Sequence, residues 1–275
     1  MVIINITTIQ SRLDLCSATL WSLINQNHKP DKIILWISKD AYLLDTGVLS
    51  LPQSVLKLMK IEKNLEIRYV TNIGPYRKII PALREFSEED ILIYADDDVI
   101  YSPLWLHELM ITFDKYMGEY PVASRVRKIN KNFFGAVKGY IRFPLIEYES
   151  IIEDNFIITG VGGCVLKKKH IKHEMIYDDS FIDVAPRTDD LWLSKILQLS
   201  NTKIVVCPAA LPHLNEISHD SYALNTLNNN EHKNSNVIMK GIRKFKSLFL
   251  AELGFATCNN DIMLRSIDDH FHGIK

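Results

Sequence analysis

An excess of basic residues is missing from this 275-residue chain: 32 Lys and Arg stand against 33 Asp and Glu, a formal net charge of −1. That balance argues against a dedicated nucleic-acid binder, which carries a positive surplus. Long apolar runs are missing too, and none approaches the ~18 residues of a membrane span. The opening MVIINITTIQSRL has no basic stretch ahead of its apolar residues, and Asn5 and the threonines interrupt them, so no signal peptide is expected. Cysteine is sparse. Cys16, Cys164, Cys207 and Cys258 lie far apart with no C-x-x-C pair, which points away from a zinc cluster or disulfide framework and toward a reducing, cytoplasmic setting. No glycine follows the first apolar run, so the dinucleotide-binding fingerprint is excluded.

What is present is an ordinary globular composition, 47% apolar, 24% charged and 9% aromatic, able to bury a sizeable core. Val2–Thr8, Lys32–Ser38, Leu65–Val70 and Ile91–Ala95 are short β-branched runs. Between the first two, Leu13, Cys16, Leu20, Leu23 and Ile24 share the face of an amphipathic helix. A second helix is expected around Ile79, Ile80 and Leu83. Strands alternating with helices predict an α/β fold with a mainly parallel sheet. The run ILIYA is apolar on both faces and should be central.

Further along, Ser102-Pro103 reads as the N-cap and first residue of a helix to about Met117. Residues 121–154 give no clear pattern. Thr159–Leu166 reads as a glycine-punctuated strand, Thr188 as the cap of a helix, and Lys203–Val206 as a last strand. The chain divides into a nucleotide-binding half (1–100), an acceptor-side half (101–214) and a C-terminal helical extension (215–275). In a helix over 237–253, Ile238, Ile242, Phe245 and Phe249 would form one stripe, with Lys240, Arg243, Lys244 and Lys246 away from it. Such a helix suits either packing on the domain or peripheral contact with an anionic membrane.

Asp96-Asp97-Asp98 directly follows ILIYA. The carboxyl end of a central parallel strand is where ligands bind in open α/β sheets. Alternation along an extended chain would put Asp96 and Asp98 on one side and Asp97 on the other. Like charges so placed need a cation between them, and a hard divalent ion completed by phosphate oxygens is one solution. An aspartyl phosphotransferase also uses paired aspartates, but after its first strand rather than its fourth.

The order of these units, the D-x-D at Asp96–Asp98 and the acidic pair Asp189-Asp190 about ninety residues later resemble the GT-A glycosyltransferases, bacterial family-2-like enzymes in particular. GPYRKIIPAL (Gly74–Leu83) ahead of IYADDDVIYSPLW carries the same likeness, which spans roughly residues 2–214. The resemblance implies a GT-A, Rossmann-like sheet flanked by helices. It implies donor base and ribose contacts at Thr7, Thr8 and Arg12, with Asp40 a weaker candidate, although Thr8 and Ser11 equally suit a helix cap. Lys78 would contact the donor's diphosphate or sugar, or else be a solvated helix start. Asp96 and Asp97 would meet the donor. Asp98, with Asp96 and His213, would hold Mn2+ or Mg2+; His219 competes with His213. Asp190, beside Asp189, would be the catalytic base of an inverting reaction, although acids at a helix N-terminus are favoured for dipole reasons alone. Thr159–Leu166 would border the acceptor.

The implied activity is metal-dependent transfer of a sugar from a nucleotide-diphosphate donor, UDP-linked by preference. The acceptor would be a hydroxyl of a bacterial surface glycan or lipid-linked acceptor. Two rivals remain at this stage. One is a sugar nucleotidyltransferase, whose G-x-G-x-R loop is missing here. The other is a catalytically silent nucleotide-sugar-binding subunit of a polysaccharide assembly complex.

Overall fold

In the computed structural model, which describes residues 1–217 and 246–273, the four β-branched runs become four adjacent parallel strands. They are β1 (Val2–Thr7), β2 (Lys32–Ile37), β3 (Leu65–Tyr69) and β4 (Ile91–Ala95). The helices between them are α1 (Leu13–Ile24), α2 (Gln53–Ile61) and α3 (Ile80–Glu85). Ile3, Ile4 and Ile6 of β1 and Leu92, Ile93, Tyr94 and Ala95 of β4 are buried on both faces, as a helix-covered parallel sheet requires. Side-chain alternation then divides the interior in two. Ile3, Trp36, Leu92 and Tyr94 face one core, and Ile4, Ile6, Leu35 and Ile93 face the other.

The second half is built from short pieces: β5 (Val99–Tyr101), α4 (Trp105–Lys115), β6 (Val122–Ala123), β7 (Val126–Lys128), β8 (Ser150–Ile152), β9 (Phe156–Ile158), β10 (Cys164–Leu166), α5 (His173–Ile176), α6 (Phe181–Val184), α7 (Asp189–Leu199), β11 (Ile204–Val206), β12 (Leu214–Glu216) and α8 (Asn259–His272). The main sheet runs β3-β2-β1-β4-β10-β6-β11-β8. Strand β10 is antiparallel to β4 and to β6, so the chain enters β10 beside the residues that leave β4. Two small ladders, β5–β12 and β7–β9, stand beside the sheet. This is a mixed α/β fold with a large, mostly parallel sheet flanked by helices. Helix α8 docks on α7 through the Trp192–Phe271 ring contact and the Lys195–Asp268 ion pair, with Ile267 buried in the first core.

Local expectations changed in several places. Ser102 does not cap a helix: its carbonyl ends a turn that accepts from Trp105 N–H, and α4 begins two residues after Pro103 with no side-chain cap. Thr159–Leu166 is not one strand. Gly160–Gly162 form a 3-10 turn that ends β9 and starts β10 in a different sheet. Gly163 follows at φ +77°, and a Cβ there would stand 2.4 Å from the Trp105 ring, so no other residue fits without moving that core tryptophan. Thr188 precedes α7, yet its hydroxyl makes no capping bond. Of the stripe expected over 237–253 only Phe249, and of the basic residues away from it only Lys246, fall within the described residues, and both are exposed. The rest, and His219, lie outside them.

Candidate active site

The carboxyl ends of β1 and β4 open into a cavity of about 810 Å³, within the range of small-molecule sites. Thr7, Thr8, Arg12, Lys78, the Asp96–Asp98 triplet and Asp189-Asp190 all line it. Nine positions singled out from the sequence in separate motifs therefore meet in one place.

Two cations organise the acids into two groups. The strand geometry of β4 ends at Ala95, and Asp97 and Asp98 turn away from it. Strict alternation therefore fails, and the expected pairing of Asp96 with Asp98 gives way to a different one. Arg12 reaches Asp97 at 2.8 Å and Asp98 at 3.5 Å. Asp97 is buried and accepts a further bond from the Thr8 hydroxyl, while its carbonyl accepts from Thr19. Burial pushes its carboxyl up to about 6 against the opposing pull of Arg12. Thr8 and Arg12 thus fasten the triplet to α1. Thr8 caps no helix, and Asp97 faces these partners more than the cavity. Thr7 bonds the Trp36 carbonyl.

Lys78 holds the other group. Its ammonium lies 2.9 Å from Asp96, 2.8 Å from Asp189 and 3.6 Å from Asp190, and over the Tyr94 ring. Burial by itself would lower its pKa, but the three carboxylates hold it well above the ordinary lysine value. It is a buried clamp, not a solvated helix start. The segment Gly74–Lys78 is a 3-10 turn fixed to the loop before α7 by Tyr76, whose hydroxyl donates to Ala185 O (2.7 Å) and whose ring stacks on Phe181. Gly160 completes the arrangement. Its N–H donates to Asp190 Oδ2 (2.8 Å), and a Cβ there would fall 2.5 Å from Lys78 Nζ and 3.0 Å from carboxylate oxygens of Asp190 and Asp96. Asp190 Oδ1 is left with no hydrogen-bond partner. Desolvation pushes the Asp190 carboxyl up to about 7, Lys78 opposes the rise, and Asp189 and Asp96 add to it.

Other expectations land elsewhere. Asp40 is exposed and absent from the cavity wall; Asp45 takes that place. His213 is displaced by strand register. Its carbonyl accepts from Ser102 N–H, whereas Ile217 N–H donates to Asp98 O. Four residues of extended chain, roughly 13 Å, separate the two ends of that ladder. Glu216 and Ile217 line the cavity instead. Among the described residues no three His, Cys, Asp or Glu side chains converge as a ligand set.

Four residues of the cavity escaped the sequence reading. Arg125, Arg127 and Arg187 add basic groups to its lining. The run RVRK was the only signal for the first two. Asp45 pairs with Arg77 at 2.9 Å, both nearly inaccessible, and also accepts from Gln10 N–H, Gly47 N–H and Asn72. Arg77 in turn donates to the carbonyls of Thr8 and Gly74. Asp45→Ala should therefore lower unfolding stability by roughly 3–5 kcal/mol, since it strands a buried guanidinium. A fall in the urea midpoint at unchanged slope is the expected readout.

No protein-family model and no curated protein matches the chain. Solved structures do. The mannosyltransferase PcManGT from Pyrobaculum calidifontis, in complex with GDP-Man and Mn2+, aligns over 98% of this chain and 69% of its own, with TM-score 0.50 at 13% identity. Staphylococcal TarS 1–349 in complex with UDP aligns over 74% of this chain and 57% of its own (TM-score 0.46, 14% identity). A 4-diphosphocytidyl-2C-methyl-D-erythritol synthase aligns over 80% and 93% (TM-score 0.46, 7% identity). Likeness at such identities is one of architecture, and what the first of these shows is that the chain has a GT-A-like fold.

Proposed function

We propose that the chain is a glycosyltransferase that moves a sugar from a nucleoside-diphosphate donor to an acceptor hydroxyl, with inversion. The observation that carries this reading is Asp190. It lines the cavity, one oxygen is oriented by Gly160 N–H, and the other has unused acceptor capacity. With 31% of its side chain exposed, a carboxylate so held can take the proton of an attacking hydroxyl. As the hydroxyl oxygen bonds the anomeric carbon, the bond from that carbon to the donor phosphate breaks and its electron pair leaves with the diphosphate. Arg125, Arg127 and Arg187, which line the same cavity, would supply positive charge for that anion. Thr7 and Thr8 at the end of β1 fit the family's base-and-ribose side. Lys78 does not reach out to the donor in this arrangement; it positions Asp189 and Asp190.

The donor set suits a hard divalent cation. Asp96 and Asp98 are the two cavity-facing carboxylates of the triplet, with about a quarter of each side chain exposed, 26% and 28%. One or two carboxylates completed by substrate phosphate oxygens is an ordinary arrangement for such an ion. Asp98, with Asp96, would hold Mn2+ or Mg2+, and the ion would neutralise charge on the departing diphosphate.

Incubating the full chain with a panel of nucleotide sugars, with and without Mn2+, tests the reading. Release of nucleoside diphosphate with at least one donor is expected, and release of pyrophosphate from a sugar phosphate and a nucleoside triphosphate would show a nucleotidyltransferase instead. Asp98→Asn should abolish metal-stimulated release while the circular dichroism spectrum stays unchanged. Full activity of the wild type in excess EDTA would rule out the metal.

A further inference from the structure

The segment Arg125–Arg142 contains six basic residues and no acidic one: Arg125, Arg127, Lys128, Lys131, Lys138 and Arg142. It folds as a hairpin. Lys131 bridges Val137, Lys138 N–H donates to Asn130 O, and Asn132 N–H donates to Ala136 O. Asn132 Oδ1 accepts from both Phe134 N–H and Ala136 N–H, which fixes the turn. At its tip stand Phe133, 97% exposed, and Phe134, 82% exposed, edge to face with each other. Two adjacent aromatic rings so exposed on an ordered turn pack on nothing else among the described residues.

The surroundings extend the same character. The hairpin leans on residues 249–254 through Gly139 N–H to Ala251 O and Asn132 to Glu252 O. That stretch adds Phe249, with Phe255 just beyond it, each 57% exposed. Of the six cations, Arg125 pairs with Glu216, Lys128 with Asp154, and Lys138 and Arg142 share Glu252. Among the described residues, six cations against three touching carboxylates leave the hairpin positive. At its base, Arg125, Arg127, Tyr140 and Ile141 line the cavity.

We infer that this hairpin docks the protein on an anionic lipid bilayer, with Phe133 and Phe134 entering the interface and Lys131 and its basic neighbours meeting the headgroups. Exposed aromatics flanked by lysines are the combination that anionic interfaces bind, because apolar burial and charge attraction act together. A protein partner would be expected to present a shaped groove for two rings set edge to face, whereas a bilayer needs only an unobstructed apolar tip. The base of the same hairpin contributes to the cavity lining, so docking would turn that side of the cavity toward the lipid. Docking itself does not depend on the transferase reading.

Vesicle co-sedimentation of the full chain decides the matter. Binding to phosphatidylcholine vesicles containing about 30% phosphatidylglycerol should exceed binding to pure phosphatidylcholine by about tenfold or more, and fall as salt rises from about 0.05 to about 0.5 M. The double variant Phe133→Ser/Phe134→Ser and the single variant Lys131→Glu should each weaken binding, the former by about tenfold or more, with unchanged circular dichroism. Both should hydrolyse soluble nucleotide sugar at the wild-type rate, so failure of docking and failure of the proposed activity remain separate results. Phe133→Trp fluorescence should shift to the blue on binding and be quenched by lipids brominated in the acyl chain. Wild type that stays in the supernatant with anionic vesicles at low salt would overturn the inference. So would binding that the double variant leaves intact, or a concentration-dependent dimer that the double variant dissolves, which would make the tip a contact between two copies.

Discussion

Asp190→Asn should lower kcat by about 10²–10⁴-fold, roughly 3–5 kcal/mol of lost transition-state stabilisation, with the donor KM little changed. The asparagine amide fills the same space and can still be oriented by Gly160 N–H, but it has no basicity to offer the acceptor hydroxyl. Loss expressed in kcat rather than KM is the mark of a group used chiefly in the transition state. The wild-type pH profile supplies a second readout. The base must be ionised to act, and its carboxyl is pushed up to about 7, so kcat/KM should fall as pH drops through that value. Asp189→Asn should be milder, because Asp189 faces Lys78. The opposite ranking, with Asp189→Asn crippling and Asp190→Asn tolerated, would move the base to its neighbour.

Lys78→Met has the second large effect, and it differs in kind. Methionine fills much of the lysine volume but leaves Asp96, Asp189 and Asp190 gathered without their shared cation. Removing one member of a buried charge group costs roughly 3–5 kcal/mol, because the remaining charges lose their compensation. The cost should depend on pH with a definite sign. Burial already raises the Asp190 carboxyl to about 7, and losing Lys78 removes the charge that opposes the rise, so the folded state binds more protons there than the unfolded one. Stability then falls as pH rises, and the variant should recover part of its loss between about pH 8 and about pH 5. Urea unfolding at several pH values reads this directly. A loss of stability that does not vary with pH would mean that Lys78 matters for packing alone. Activity should fall too, since Asp190 would ionise only at higher pH without the ammonium that favours its charged form.

The parts legible in the sequence are those where periodicity had room to show. Each of β1 to β4 spans five or six residues, and α1 and α7 run for twelve and eleven. By contrast β6 has two residues and β7 three, too few for any period, and their partners β10 and β9 are more than twenty-five residues away. Pairing at that distance is decided by tertiary packing, so residues 121–154 looked patternless. The site divides the same way. The triplet and the pair Asp189-Asp190 stood out by composition, and Lys78 by its place in a motif. Asp45 and Arg187 carry no local signal, because tertiary packing alone brings each to the cavity. His213 was misplaced for a related reason: the β5–β12 register, invisible in a single sequence, brings Ile217 to Asp98.

The 3-10 turn Gly74–Lys78 sends two neighbouring cations in opposite directions, Arg77 to Asp45 beneath β1 and Lys78 to the acids beside α7. Adjacent positions on a three-residue-per-turn helix differ by about 120°, so this division is a matter of phase. One inserted or deleted residue would rotate each side chain into the other's surroundings and disconnect both at once. Length is therefore constrained here more tightly than composition. When the loop between β3 and α3 is altered by engineering, substitutions are the changes it can absorb, and insertions belong before Asn72, ahead of the side chain that accepts from Gly74 N–H.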